Sequence, residues 1–221
     1  MLQSLLMTVA VAGIIDSDTV LLNVAIIPSA DVSAAAVMLS QSLHTSGGIF
    51  QLDGVNRFAH LTLYMARFAR SELVAAQAAL SAVSGSLNSI RLTQSGYFVT
   101  SGGYYEISYL RSPSLLNAHE KVTRALRSLR FSPGHPPVEN YFGIYSRVQQ
   151  ESARKTGYDL AGDLYRPHIT LTRFDDVPDV NMLPTAKGDL SFMATKIGLF
   201  QADSMGAARK LIAEFDLDST T

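Results

Sequence analysis

Apolar and polar positions recur along this chain with two periods, and the switches between them mark out its elements. Residues 19–27, TVLLNVAII, form a nearly unbroken apolar run rich in β-branched residues, which predicts a buried strand ended by Pro28. From Asp31 to Leu43, the residues Val32, Ala35, Ala36, Leu39 and Leu43 fall near helical spacing, with Ser29 or Asp31 as the cap, and Gly47-Gly48 interrupts the chain. Residues 59–65, AHLTLYM, alternate strictly and predict a strand. Ser71 to Val83 is alanine-rich and predicts a helix capped by Ser71. Three short alternating runs follow, Ser89–Thr93, Tyr97–Thr100 and Tyr104–Leu110, separated by glycines as in an antiparallel meander. Pro113 to Leu129 reads as a helix whose end carries Arg124, Arg127 and Arg130 in solvent, and Tyr141 to Lys155 as another. Pro167 to Arg173 alternates as a strand and 175–188 reads as a loop. Leu190–Gln201 and Ala208–Leu217 read as two strands turning at residues 203–206.

Helices lying between strands, with several hairpins, favour an α+β fold over a doubly wound parallel sheet. The Pro- and Gly-rich stretch 131–140 is the expected boundary between two lobes of one domain spanning residues 1–221. Residues 2–15 are mostly apolar, yet no Lys or Arg precedes them and the run is too short to span a bilayer. They are expected to pack on the body as a helix or strand, with no membrane contact.

Composition narrows the chemistry. With 47% apolar and 17% charged residues the chain is a folded globule. A net charge of −1 supplies no bulk attraction for nucleic acid, so any RNA contact must come from a local cluster of Arg and Lys. The absence of cysteine excludes disulfides, thiolate nucleophiles and Cys-ligated zinc. It suits the reducing cytoplasm, where the protein is expected as a monomer.

The informative feature is an internal echo. His60-Leu61-Thr62-Leu63 returns as His168-Ile169-Thr170-Leu171. In a strand, side chains two apart share a face, so His60 and Thr62 point one way, as do His168 and Thr170. The same rule places Tyr64 and Thr172 on those polar rows, and Leu61, Leu63, Met65, Ile169 and Leu171 on the opposite side against helices. Two histidine-headed rows facing one cleft suit cleavage of a phosphodiester. One group must take a proton from the nucleophile and another must give one to the leaving oxygen, and histidine serves both near neutrality. Threonine hydroxyls can hold the non-bridging oxygens, where charge accumulates. This chemistry asks for no metal, and Asp175-Asp176 form no recognisable ligand set. His44, His119 and His135 lack such partners and read as structural. Tyr64 could stack on a base or sugar. Tyr165 and Arg166, just before the second motif, could line the cleft, where Arg166 could reach a phosphate or form a salt bridge.

The paired motifs resemble those of the two-histidine (2H) phosphoesterase superfamily, which includes 2′-5′ RNA ligase-like proteins and RNA cyclic phosphodiesterases. Arg166-Pro167-His168-Ile169-Thr170-Leu171 matches the usual form of the motif, while the first copy has Ala59 where proline is common. The resemblance, from about Thr19 to Leu217, implies a bilobal, pseudo-two-fold α+β fold with antiparallel sheets lining a central cleft and helices outside. It implies metal-independent action on 2′,3′-cyclic phosphates or 2′-5′ linkages of RNA ends or nucleotides, without a cofactor. His60 and His168 would be the acid/base pair and Thr62 and Thr170 the phosphate clamps. Which histidine is the base stays open. So do two alternatives: an RNA or nucleotide-binding module without turnover, and 2′-5′ RNA ligation.

Overall fold

The computed structural model describes residues 18–131 and 145–218. The expected N-terminal element, most of the 131–140 boundary, His135 and the first residues of the helix expected from Tyr141 lie outside the described residues.

Nine strands are formed among the described residues: β1 Thr19–Ile26, β2 Leu61–Ala69, β3 Ile90–Leu92, β4 Gln94–Val99, β5 Tyr104–Tyr109, β6 His168–Arg173, β7 Phe192–Ala194, β8 Lys196–Ala202 and β9 Ala208–Asp216. Seven of them make one antiparallel sheet in the order β4-β5-β6-β2-β1-β8-β9. β1 is a central strand, and all eight of its residues are buried. That is why its sequence is continuously apolar rather than alternating. The sheet has two halves, β4-β5-β6 and β2-β1-β8-β9. They meet where β6 pairs β2 at a single register pair, Leu61 with Ile169. Both halves draw strands from each side of residues 131–140.

The helices are α1 Ala30–Thr45, α2 Leu73–Ser84, α3 Pro113–Leu126 and α4 Arg147–Thr156 among the described residues. Ser29 caps α1 by accepting from the Val32 amide, worth about 1 kcal/mol. Ser146 and Gln149 form a reciprocal capping box on α4, and Gly157 ends it in the left-handed conformation at φ +89°. A Cβ on Gly157 would press on Ala66, Arg130 and the Tyr64 hydroxyl, so this position needs glycine twice over. Packed behind the sheet, α3 covers β2 and α1 covers β6. A single apolar core there joins Val20, Leu22, Val24 and Ile26 of β1 to Leu61, Leu63, Ile169 and Leu171.

Four expectations change. The run 89–93 supplies β3, which does not join a meander with β4 but pairs β7 in a separate two-stranded sheet. The expected strand 190–201 is therefore two strands broken at Thr195, one in each sheet. Ser71 lies in a 3-10 turn, Arg70–Glu72, and no side chain caps α2. Arg130 is buried rather than solvated, because its guanidinium donates to the Arg154 and Lys155 carbonyls at the end of α4.

Candidate functional site

His60 ends the segment that leads into β2, and His168 opens β6. The antiparallel pair Leu61–Ile169 sits between them. Register alone then sets His60 across from Thr170, and Thr62 across from His168. Each histidine thus faces the other motif's threonine about a local two-fold. All four side chains line one cleft of about 480 Å³, a volume in the range of small-molecule sites.

The two imidazoles are oriented in the same way. His60 Nδ1 lies 2.8 Å from the Phe58 carbonyl, and His168 Nδ1 lies 2.6 Å from the Arg166 carbonyl, each two residues upstream. A carbonyl only accepts, so each Nδ1 carries the proton. Nε2 is left as the working nitrogen of both rings: lone pair when neutral, donor when charged.

Their surroundings differ. Burial holds the His60 imidazole down to about 4, against the Phe58 carbonyl, which favours the charged ring; the nearby His168 lowers it further and Asp203 opposes. His60 is therefore neutral at pH 7. His168 Nε2 instead faces the carboxylate of Glu106, with Oε1 at 3.5 Å. Glu106 is nearly fully buried and is gripped by both terminal nitrogens of Arg166. Arg166 in turn lies over the exposed ring of Phe98, 5.1 Å from its centroid. Arg166 lines the cleft, with its charge already shared with Glu106.

Tyr64 and Tyr165 are not in the cleft. Opposite β1, Thr62 pairs with Ala25 but Tyr64 pairs with Val24, so β2 carries one extra residue, Leu63. The bulge turns Tyr64 into the core, where its hydroxyl donates to the Thr156 carbonyl, and brings Met65 onto the cleft wall. β6 repeats the device at the equivalent position. Thr170 pairs with Glu106 and Thr172 with Tyr105, so Leu171 is the extra residue and Thr172 turns inward, donating to the Phe50 carbonyl. Bulges free backbone groups, and each of these is met by a helix side chain. His119 on α3 donates from Nδ1 to the Leu63 carbonyl, and Ser40 on α1 donates to the Leu171 carbonyl. His119 Nε2 accepts from the Gly162 amide, so this ring is a neutral structural link, with its pKa lowered by burial. Tyr165 stacks on it at 4.0 Å and donates to the Thr62 carbonyl, tying the second motif's approach to the first motif's strand.

Periodicity did not single out Glu106, Asp159 and Asp203 on the cleft walls, nor buried Asn23, which touches Thr62 from β1 behind the cleft. Asp159 takes a hydrogen bond from Gln149, and burial raises its pKa. Two signals were there to be read: a single Asn inside TVLLNVAII and a single Glu inside YYEISY. Among the described residues no group of three or more His, Asp or Glu is arranged to hold a metal, and no helix is long and apolar enough to cross a membrane.

No family model and no curated protein matches the chain. Solved structures do. TT0787 of Thermus thermophilus is 18% identical with a TM-score of 0.62, covering 91% of this chain and 100% of its own. Escherichia coli LigT complexed with NADP+ is 18% identical with a TM-score of 0.60, covering 92% and 100%. A crystal structure of a phosphoesterase is 16% identical with a TM-score of 0.61, covering 90% and 99%. The chain has the fold of these proteins.

Proposed function

We propose that this protein is a 2H-type phosphodiesterase that opens 2′,3′-cyclic phosphates or cuts 2′-5′ linkages of RNA ends or nucleotides. The observation that carries the reading is the Leu61–Ile169 pair, which turns two separate His-x-Thr segments into one four-residue constellation. The solved complexes of LigT with NADP+ and 3′-AMP lend it support, since both ligands are nucleotides.

In hydrolysis of a cyclic phosphate, a water attacks phosphorus and neutral His60 takes its proton at Nε2. The bond to one ribose oxygen breaks, and His168 supplies the proton that oxygen needs from its own Nε2. Thr62 and Thr170, one from each motif, donate to the non-bridging oxygens as their charge grows. Both Nδ1–carbonyl bonds keep the rings from turning during transfer. Ligation uses the same four residues with a 5′-hydroxyl in place of the water: His60 takes its proton, the oxygen attacks phosphorus, the bond to O3′ breaks and His168 protonates O3′, which leaves a 2′-5′ linkage.

The test is a panel of 2′,3′-cyclic nucleotides, a cyclic-phosphate-ended RNA and a 2′-5′-linked dinucleotide, assayed with excess EDTA. Turnover of at least one, lost in His60→Ala and in His168→Ala, is expected. Nucleotide affinity with no turnover on any of them would instead make the cleft a binding module.

A further inference from the structure

We propose that Asn23 is the residue that fixes the direction of the Thr62 hydroxyl, and that it is a positioning residue for the phosphate clamp. This role rests on the two-histidine reading of the cleft.

Asn23 is fully buried in the middle of β1, where every other side chain except that of Thr19 is apolar. Its Nδ2 makes two hydrogen bonds, one of 3.0 Å to Thr62 Oγ1 and one of 3.2 Å to the Gly206 carbonyl. The second settles the first. A carbonyl oxygen cannot donate, so the atom facing Gly206 must be the amide nitrogen, and the amide cannot be turned over. That leaves the other Nδ2 proton for Thr62, which must accept it. A hydroxyl has one proton and two lone pairs. With a lone pair engaged by Asn23, the Thr62 proton is free to point into the cleft, as a donor to a phosphate oxygen. Asn23 Oδ1 is buried with no partner among the described residues, so this orientation persists although it leaves an acceptor unmet.

Gly206 belongs to the turn between β8 and β9. That turn reaches the cleft beside Thr62 and is held by Asp203, which accepts from the Met205 and Ala207 amides. Gly206 has φ +83°, and a Cβ there would press on Met65, so its backbone comes as close to the cleft wall as glycine allows. Asn23 thus joins β1, β2 and the β8–β9 turn at the one hydroxyl of the first motif.

Asparagine can be replaced by an isostere of opposite hydrogen-bonding sense. Aspartate only accepts, so in Asn23→Asp the Thr62 proton turns back toward β1 and its lone pairs face the phosphate. The experiment measures kcat and KM for 2′,3′-cyclic AMP, and affinity for inorganic phosphate by calorimetry. The proteins are the wild type, Thr62→Val, Asn23→Ala, Asn23→Asp and the two double variants. Thr62→Val is expected to lower kcat roughly 10- to 100-fold, the loss of one hydrogen bond to a charged group. Asn23→Asp should lose at least as much, and Asn23→Ala a few-fold. In the Thr62→Val background both Asn23 substitutions should change kcat and phosphate affinity by less than about two-fold, because the hydroxyl they steer is gone. Equal fold losses in both backgrounds would show that Asn23 only supports the fold, and would overturn the proposal. If thermal melting shows Asn23→Asp unfolded, the Asn23→Ala cycle decides alone. Full turnover in His60→Ala would strike the two-histidine reading itself, whereas additive Asn23 effects beside an inactive His60→Ala would strike only Asn23.

Discussion

Leu61 lies directly across from Ile169, the single register pair that joins the two halves of the main sheet. Both side chains are fully buried on the helix side. The residues flanking each of them, His60 and Thr62 on one strand and His168 and Thr170 on the other, therefore emerge together on the opposite side. One apolar contact behind the sheet sets the geometry of the polar site in front of it.

The histidines are expected to be needed for chemistry rather than for folding. Each of His60→Ala and His168→Ala should lower kcat on a cyclic nucleotide by roughly 10²- to 10⁴-fold, the usual worth of a positioned proton-transfer group. Melting temperatures should stay close to wild type, which separates lost chemistry from lost structure.

The pH dependence has a defined sign. His60 must be neutral to accept a proton, and its pKa lies at about 4. On the acid side kcat/KM should hold its plateau well below pH 6.5 and fall only as pH drops through about 4. An acid limb centred near 6.5 would rule out His60, as it stands in this cleft, as the base.

Stability should follow the same group. The folded state depresses the His60 pKa from 6.5 to about 4, so below 6.5 the unfolded chain binds the proton and the folded one does not. The stabilisation is complete above about pH 6.5 and is lost as pH falls toward 4. Denaturant midpoints of His60→Gln should depend less on pH across this window. Some dependence should remain, because buried His119 is shifted in the same direction.

His119→Leu tests the bulge. It leaves the buried Leu63 carbonyl without its partner, at roughly 1–3 kcal/mol, and removes the acceptor of the Gly162 amide, which lies at an exposed residue where water can replace it. A lowered melting temperature is expected. Activity per folded molecule should fall as well, because the Leu63 bulge directs Thr62 and Met65 into the cleft.

Arg166→Ala leaves Glu106 buried and charged without its counter-ion. Breaking a buried pair costs roughly 3–5 kcal/mol; the loss here is expected near or below the lower end, since the Arg166 side chain is 36% exposed. Adding Glu106→Gln should recover part of that loss in chemical denaturation, because it removes the stranded charge.

Local pattern was enough to read the apolar run of β1, the alternation of β2 and β6, the apolar faces of the helices and the two His-x-Thr segments, all of which depend on neighbours a few residues away. Their shared face was legible because histidine two residues before threonine puts both on one face of any strand. Long-range contacts set what a local period cannot express. A one-residue bulge reverses every later side chain, so Tyr64 and Thr172 face the core while Met65 and Arg173 take the cleft side, and nothing in AHLTLYM marks the insertion. Strand partners are chosen by distant burial, which sends β3 to β7 and brings Asn23 and Glu106 beside motifs far away in the chain. The site is the point where these long-range choices meet, and register, not composition, is the physical quantity that made it.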